Sequence, residues 1–87
     1  MGPRKAAQIF ALEIADLPVA TCRVTLFGSL AATGEGHLTD KAILEVLSPN
    51  YPTEIVWKPD VVLPFHTNAM TLEALDSAGD VVKTETF

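Results

Sequence analysis

The stretch Gly28-Ser-Leu-Ala-Ala-Thr-Gly-Glu-Gly-His-Leu-Thr-Asp-Lys41 decides how this chain is organised. It follows a segment of alternating apolar residues, forms a loop of small residues, and ends where a helix is predicted to begin with Thr39 as its N-cap. Glycines permit positive φ and close approach of a ligand, and a helix N-terminus offers unpaired N–H groups and a positive dipole end. The stretch therefore predicts a strand, a loop and a helix that together can bind a small anionic group.

Polar side chains around the predicted cap are the candidate site residues. His37 titrates near neutral pH and is, on the residues alone, either a polar loop side chain or a site residue. Asp40 either orients that imidazole or stabilises the helix through its dipole. Ser29 and Thr33 either donate hydroxyl hydrogen bonds to a carboxylate or serve only the geometry of the turn. The spacing matches neither the Walker pattern nor a dinucleotide fingerprint.

The hydrophobic periodicity predicts an α+β fold, arranged as a two-layer α/β sandwich. Two helices pack on one face of a mixed sheet of about four strands, and a hairpin closes the chain. The predicted elements are a helix from Pro3 that Pro18 ends, a strand over Ala20–Phe27, a helix from Thr39 to about Leu47, a strand over Thr53–Lys58, a short extended piece at Val61–Leu63, and a hairpin of Ala69–Leu75 and Val81–Thr86 around Gly79.

The composition restricts the classes of function. A chain of 87 residues predicts a single domain, and a net charge of −5 argues against nucleic acid and anionic membranes as partners. A hydrophobic content of 48% is high for a small domain, so we expect a second domain or a second copy of the chain to cover part of its surface. No apolar run approaches the ~20 residues of a membrane span, and no signal peptide is apparent, so the expected location is cytoplasmic.

The single cysteine limits the cofactor chemistry. Cys22 alone excludes an internal disulfide and any zinc or iron–sulfur cage built from cysteines of this chain, and we expect no metal ligands in it. Because Cys22 alternates with Val24 and Leu26 on a predicted strand, we expect its side chain to be buried. Arg23 and Lys41, the cations nearest the glycine loop in sequence, are expected to be solvated.

Three segments resemble the bacterial iron–sulfur L-serine dehydratases, in their beta chain or beta domain. Gly28–Lys41 resembles the family's Gly-Ser-Leu-Ala-x-Thr-Gly-x-Gly-His-x-Thr-Asp-Lys segment. Met1–Ala7 resembles the stretch after a serine-rich loop of that family, and Leu63–Met70 resembles its Leu-Pro-x-His-x-Asn-Gly-Met segment. The resemblance covers nearly all of the chain. Glu35 and Ala69 depart from it, because members often carry lysine and glycine there.

The resemblance implies that residues 1–87 are part of the beta domain of an L-serine ammonia-lyase, which converts L-serine to pyruvate and ammonia. It implies a fold similar to the allosteric substrate-binding domain and a partner alpha domain or chain. Cysteines of that partner would hold a four-iron four-sulfur cluster, so that this chain alone would be inactive. The implied catalytic residue is His37, and the implied substrate-binding residues are Ser29, Thr33, Gly36, Thr39, Asp40, His66 and Asn68.

Two other functions remain open at this point. The likeness to an allosteric domain also fits a regulatory module that binds serine or an anion without catalysis. The apolar composition also fits a homodimer surface. On the residues alone, His66 and Asn68 are explained equally well as turn residues that satisfy local backbone groups.

Overall fold

A computed structural model describes residues 2–28, 39–58, 60 and 69–87 of the chain. Within these ranges two helices pack on a mixed sheet of four strands, which confirms the predicted α+β class. The elements in chain order are α1 (Pro3–Ile14), β1 (Thr21–Phe27), α2 (Thr39–Leu47), β2 (Thr53–Lys58), β3 (Met70–Leu75) and β4 (Val81–Thr86).

The first helix begins as predicted but ends earlier. Pro3 occupies the first turn, where its missing N–H costs nothing. The helix stops at Ile14, and the prediction that it continues to Pro18 is wrong. Leu17 lies in the turn that follows, where its N–H donates to the carbonyl of Ile14 at 3.0 Å. The turn leads the chain to β1. Helical dihedrals are disfavoured at Leu17 because it precedes Pro18.

The sheet has the order β2-β1-β3-β4, with β1 parallel to β2 and antiparallel to β3. Parallel neighbours require a crossover, which α2 provides between β1 and β2. As a result β1 ends, β3 begins and β4 ends at the same edge of the sheet. We call the edge that carries Phe27 and Met70 the loop edge.

The two faces of the sheet differ in polarity. On the helix face, Cys22, Val24 and Leu26 are buried as predicted, and cross-strand partners Leu72 and Ala74 lie beside them. These side chains form one core with residues of both helices, namely Ala6, Ala7, Phe10, Ile14, Ile43 and Leu47. The outer face, opposite the helices, carries mostly polar side chains.

On the outer face, Arg23 is not simply solvated as predicted. Its Nε donates to Glu54 of β2 at 3.3 Å and its Nη1 to Glu73 of β3 at 3.5 Å. Both glutamates lie directly opposite Arg23 in the register of the sheet. Cross-strand neighbours on one face are close enough for such pairs, so one guanidinium connects three strands.

The hairpin between β3 and β4 follows its local sequence. Gly79 has φ 89, a conformation that L residues with a side chain rarely adopt. The carboxylate of Asp76 accepts hydrogen bonds from the N–H groups of Ala78 at 2.9 Å and Asp80 at 3.0 Å. The predicted turn is thereby confirmed. Of the helices in the described ranges, none has the length and apolarity to cross a membrane.

Candidate functional site

At the loop edge the end of β1 lies beside the start of β3. The glycine loop follows the first of these strands, and the Leu63–Met70 segment leads into the second. The N–H of Phe27, the last residue of β1, donates to the carbonyl of Ala69 at 3.0 Å. The segment that contains the glycine loop leaves the sheet directly after Phe27, and the segment that contains Leu63–Met70 enters it at Ala69. Two stretches distant in sequence are therefore anchored side by side.

The end of β4 completes this edge. Met70 donates to the carbonyl of Phe87 at 3.1 Å, and Phe87 donates back to the carbonyl of Met70 at 2.8 Å. This closed pair of hydrogen bonds fixes the start of β3 against the last strand. The position at which the Leu63–Met70 segment joins the sheet is therefore held from both sides, by β1 and by β4.

Gly28 is the first residue of the predicted binding loop, and its backbone has a positive φ. Its φ of 56 lies in the left-handed region, where a side chain would strain the chain. Gly28 is also buried, directly after the last residue of β1. The expectation that glycine permits a positive φ at this turn is confirmed here.

The described part of the predicted site ends with two residues at the start of α2. Thr39 is the first helical residue of α2 and is buried, and its predicted role as N-cap stays a prediction. Asp40 lies in the first helical turn and is half-buried. A carboxylate there is stabilised by the positive end of the helix dipole. Their roles in substrate binding stay predictions.

The other predicted site residues lie outside the described residues. So does the extended piece predicted at Val61–Leu63. The structure shows that the strand before the glycine loop ends at Phe27, next to Ala69, where the Leu63–Met70 segment joins the sheet. The predictions in this group concern Ser29, Thr33, Gly36, His37, His66 and Asn68.

An ion pair that sequence reasoning missed connects the two helices. Arg4 at the start of α1 donates to the carboxylate of Glu45 in α2. The hydrogen bond and the charge of Arg4 lower the pKa of Glu45 from its ordinary value. The pair links the N-terminal turn of α1 to α2 at the surface. Its partners are 41 residues apart, so only the packing of the two helices reveals it.

The described side chains do not fit a four-cysteine iron–sulfur cluster. Cys22 is 2% exposed, and burial raises the pKa of its thiol to about 11. A cysteine must lose its proton to bind a metal, so this environment opposes ligation. In the part of the chain that the structure describes, no group of three or more His, Cys, Asp or Glu side chains could hold a metal ion.

A cavity of about 320 Å³ lies at the edge of the sheet opposite the loop edge. Its lining includes the beginnings of β1 and β2 and the end of β3, among them Thr21, Thr53 and Leu75. Thr39 and Asp40, the two predicted site residues that the structure describes, do not line it. The cavity therefore lies at the opposite end of the strands from Phe27 and Ala69.

Comparison with known proteins gives one family. The sequence model of one protein family, the serine dehydratase beta chain, matches residues 1–58. L-serine dehydratase of Streptomyces coelicolor is 32% identical over 125 residues, covering 100% of this chain and 28% of that protein. The L-serine dehydratase of Mycobacterium tuberculosis is 32% identical over 124 residues, covering 100% of this chain and 27% of that protein.

A further relative matches a shorter region at higher identity. L-serine dehydratase TdcG of Escherichia coli is 42% identical over 60 residues, covering 64% of this chain and 13% of that protein. The chain spans little more than a quarter of the length of the Streptomyces protein. The family model covers two thirds of the chain, including α1, β1, α2 and β2. This chain belongs to the serine dehydratase beta chain family.

Proposed function

We propose that this chain is part of an L-serine dehydratase, which converts L-serine to pyruvate and ammonia, and that the loop edge covers the substrate. The names of its relatives and its family support this reaction. The hydrogen bond between Phe27 and Ala69 is the observation that carries the location, because it anchors the two substrate segments side by side.

In this proposal the residues of the chain bind serine and move one proton. Backbone N–H groups of the glycine loop and the hydroxyl groups of Ser29 and Thr33 bind the carboxylate of serine. His37 either contacts that carboxylate or accepts the proton from Cα. His66 and Asn68 contact the substrate from the neighbouring segment. The Cβ–O bond then breaks and the hydroxyl takes up a proton and leaves as water, which gives aminoacrylate; its imine tautomer takes up one water molecule and gives pyruvate and ammonia.

The proposal assigns the iron–sulfur cluster to an alpha domain or chain. The described side chains of this chain do not fit such a cluster, and the whole sequence has one cysteine. This chain supplies contacts to serine and excludes water from the site. A cytoplasmic location belongs to the same proposal, because cysteine ligands stay reduced there.

The test is the substitution His37→Ala in the assembled enzyme with its alpha partner. Loss of a group that transfers a proton lowers kcat by about a hundredfold or more. Steady-state pyruvate formation from L-serine measures this loss. Gln8→Ala, an exposed position on α1, serves as the control and is expected to leave kcat unchanged. Near-normal kcat in the His37 variant would contradict the catalytic role.

Titration calorimetry of the 87-residue chain with L-serine separates catalysis from regulation. A site completed only by the alpha partner predicts no heat of binding with the isolated chain. Binding by the isolated chain would favour the regulatory module instead. Light scattering of the same sample tests the homodimer, which a monomeric mass would contradict.

A further inference from the structure

Two charged side chains on β4 point toward the helices rather than toward solvent. In the register of the sheet Glu85 lies opposite Leu72, and Lys83 lies opposite Ala74. Leu72 and Ala74 are completely buried on the helix face. Because opposite residues project on the same face, Glu85 and Lys83 extend from the outermost strand, β4, over the apolar layer between sheet and helices.

Both side chains meet α1 at Glu13. The Nζ atom of Lys83 is 3.6 Å from a carboxylate oxygen of Glu13. Glu85 projects from the same face of β4 two residues beyond Lys83, so its carboxyl group approaches Glu13 as well. Oε2 of Glu85 is hidden from solvent and accepts no hydrogen bond from any donor in the described part of the chain. Three charged groups therefore share one small space.

The charges in this space do not balance. Glu85 faces Glu13 from α1 and Lys83 from its own strand, while Leu72 of the neighbouring strand carries no charge. One ammonium group cannot neutralise two carboxylates. A proton placed between the carboxyl groups removes the repulsion and supplies the donor that the hidden oxygen lacks.

We propose that Glu13 and Glu85 form a proton-dependent latch, which fastens strand β4 to helix α1 when one of the two carboxyl groups is protonated. The contact with Glu13 is the largest cause that raises the pKa of Glu85, and burial adds to it, while Lys83 opposes both. A pKa raised in the folded state means that acidification through that pKa stabilises the fold.

The position of the latch connects it to the loop edge. Glu85 lies two residues before Phe87, whose backbone exchanges both hydrogen bonds with Met70 at that edge. When the latch is closed, β4 is held at α1 as well as along β3. When the proton leaves, the ladder with β3 and the ion pair of Lys83 with Glu13 remain, but repulsion between the carboxylates of Glu13 and Glu85 opposes them.

Carboxyl ¹³C titration of the 87-residue chain by NMR measures the latch directly. We expect the Glu85 resonance to titrate above the usual range of glutamate, and Glu13→Gln to change its midpoint. Urea unfolding from pH 7.5 down to the ordinary pKa of glutamate gives the second readout. The midpoint urea concentration of the unsubstituted chain is expected to rise as the pH falls through this range.

The variant Glu85→Gln tests the same contact without a proton. Its amide donates a permanent hydrogen bond to Glu13, so we expect a higher urea midpoint at pH 7.5 and a weaker dependence on pH. Asp16→Asn, exposed beyond the end of α1, removes one negative charge without touching the cluster and is the matched control. It is expected to retain the full pH dependence.

Two results would overturn the latch. The first is a Glu85 resonance that titrates within the ordinary range of glutamate. The second is an equal effect of Glu85→Gln and Asp16→Asn, which would assign the pH dependence to the net charge of −5 rather than to this contact.

Discussion

The helix face and the outer face of the sheet show how differently neighbouring residues of one strand are used. On β3, Leu72 faces the helices and is completely buried, while the hydroxyl of Thr71 faces the other way and lies 3.0 Å from that of Thr86. On β1, Val24 is in the core, while Arg23 joins two glutamates. The helix face thus holds the apolar contacts, and the outer face holds polar contacts between strands.

The strongest test of this difference is Leu72→Ala. The substitution removes completely buried methyl groups and leaves a cavity, so we expect the free energy of unfolding to fall by about 2–5 kcal/mol. Urea unfolding monitored by circular dichroism measures it. A loss below about 1 kcal/mol would mean that the helices are not packed tightly on the sheet.

The reactivity of Cys22 tests the same face by chemistry. Because burial raises the pKa of its thiol to about 11, the thiolate at pH 8 is scarce. We expect iodoacetamide to react about a hundredfold more slowly with the folded chain than with the chain in urea. Mass spectrometry of timed samples gives both rates. Equal rates would place Cys22 at the surface.

On the outer face, Arg23→Met is expected to have a small effect. The side chain is 41% exposed, and its pairs with Glu54 and Glu73 are long, so water screens the attraction. Exposed ion pairs stabilise by about 0.2–1 kcal/mol, and the difference between variant and original chain should shrink in 1 M NaCl. A loss as large as that of Leu72→Ala would remove the distinction between the two faces.

The smallest expected effect is on the outside of the helix layer, at Glu45. Arg4 lowers the pKa of its carboxyl, so the pair stabilises the fold above the ordinary pKa of glutamate and is lost as the pH falls below it. Glu45→Gln should therefore weaken the loss of stability between pH 5 and pH 3. Urea midpoints at these pH values measure it, and an unchanged slope would contradict the prediction.

Local patterns predicted most of the secondary structure. Alternation placed Cys22 and Val24 on one face, and the residues around Gly79 specified their turn, because both signals act over a few residues. The end of α1 was wrong by several residues, since it depends on how the chain turns toward β1. The sheet order was not predicted, because strand pairing is a property of the whole chain.

The predicted site depended on a different kind of information. A fourteen-residue segment and two flanking pieces pointed to the family, which comparison confirmed. Neither periodicity nor spacing showed that Phe27 and Ala69 meet, since that contact follows from the sheet order. The partners of Glu13 on β4 were missed for the same reason: they are about 70 residues away in sequence.

The central position of β1 in the sheet has a consequence for folding during synthesis on the ribosome. This strand lies between β2 and β3, both of which are synthesised after it. The backbone of β1 that faces β3 stays unpaired until the chain has been translated through residue 75, and only then can the whole sheet assemble around β1.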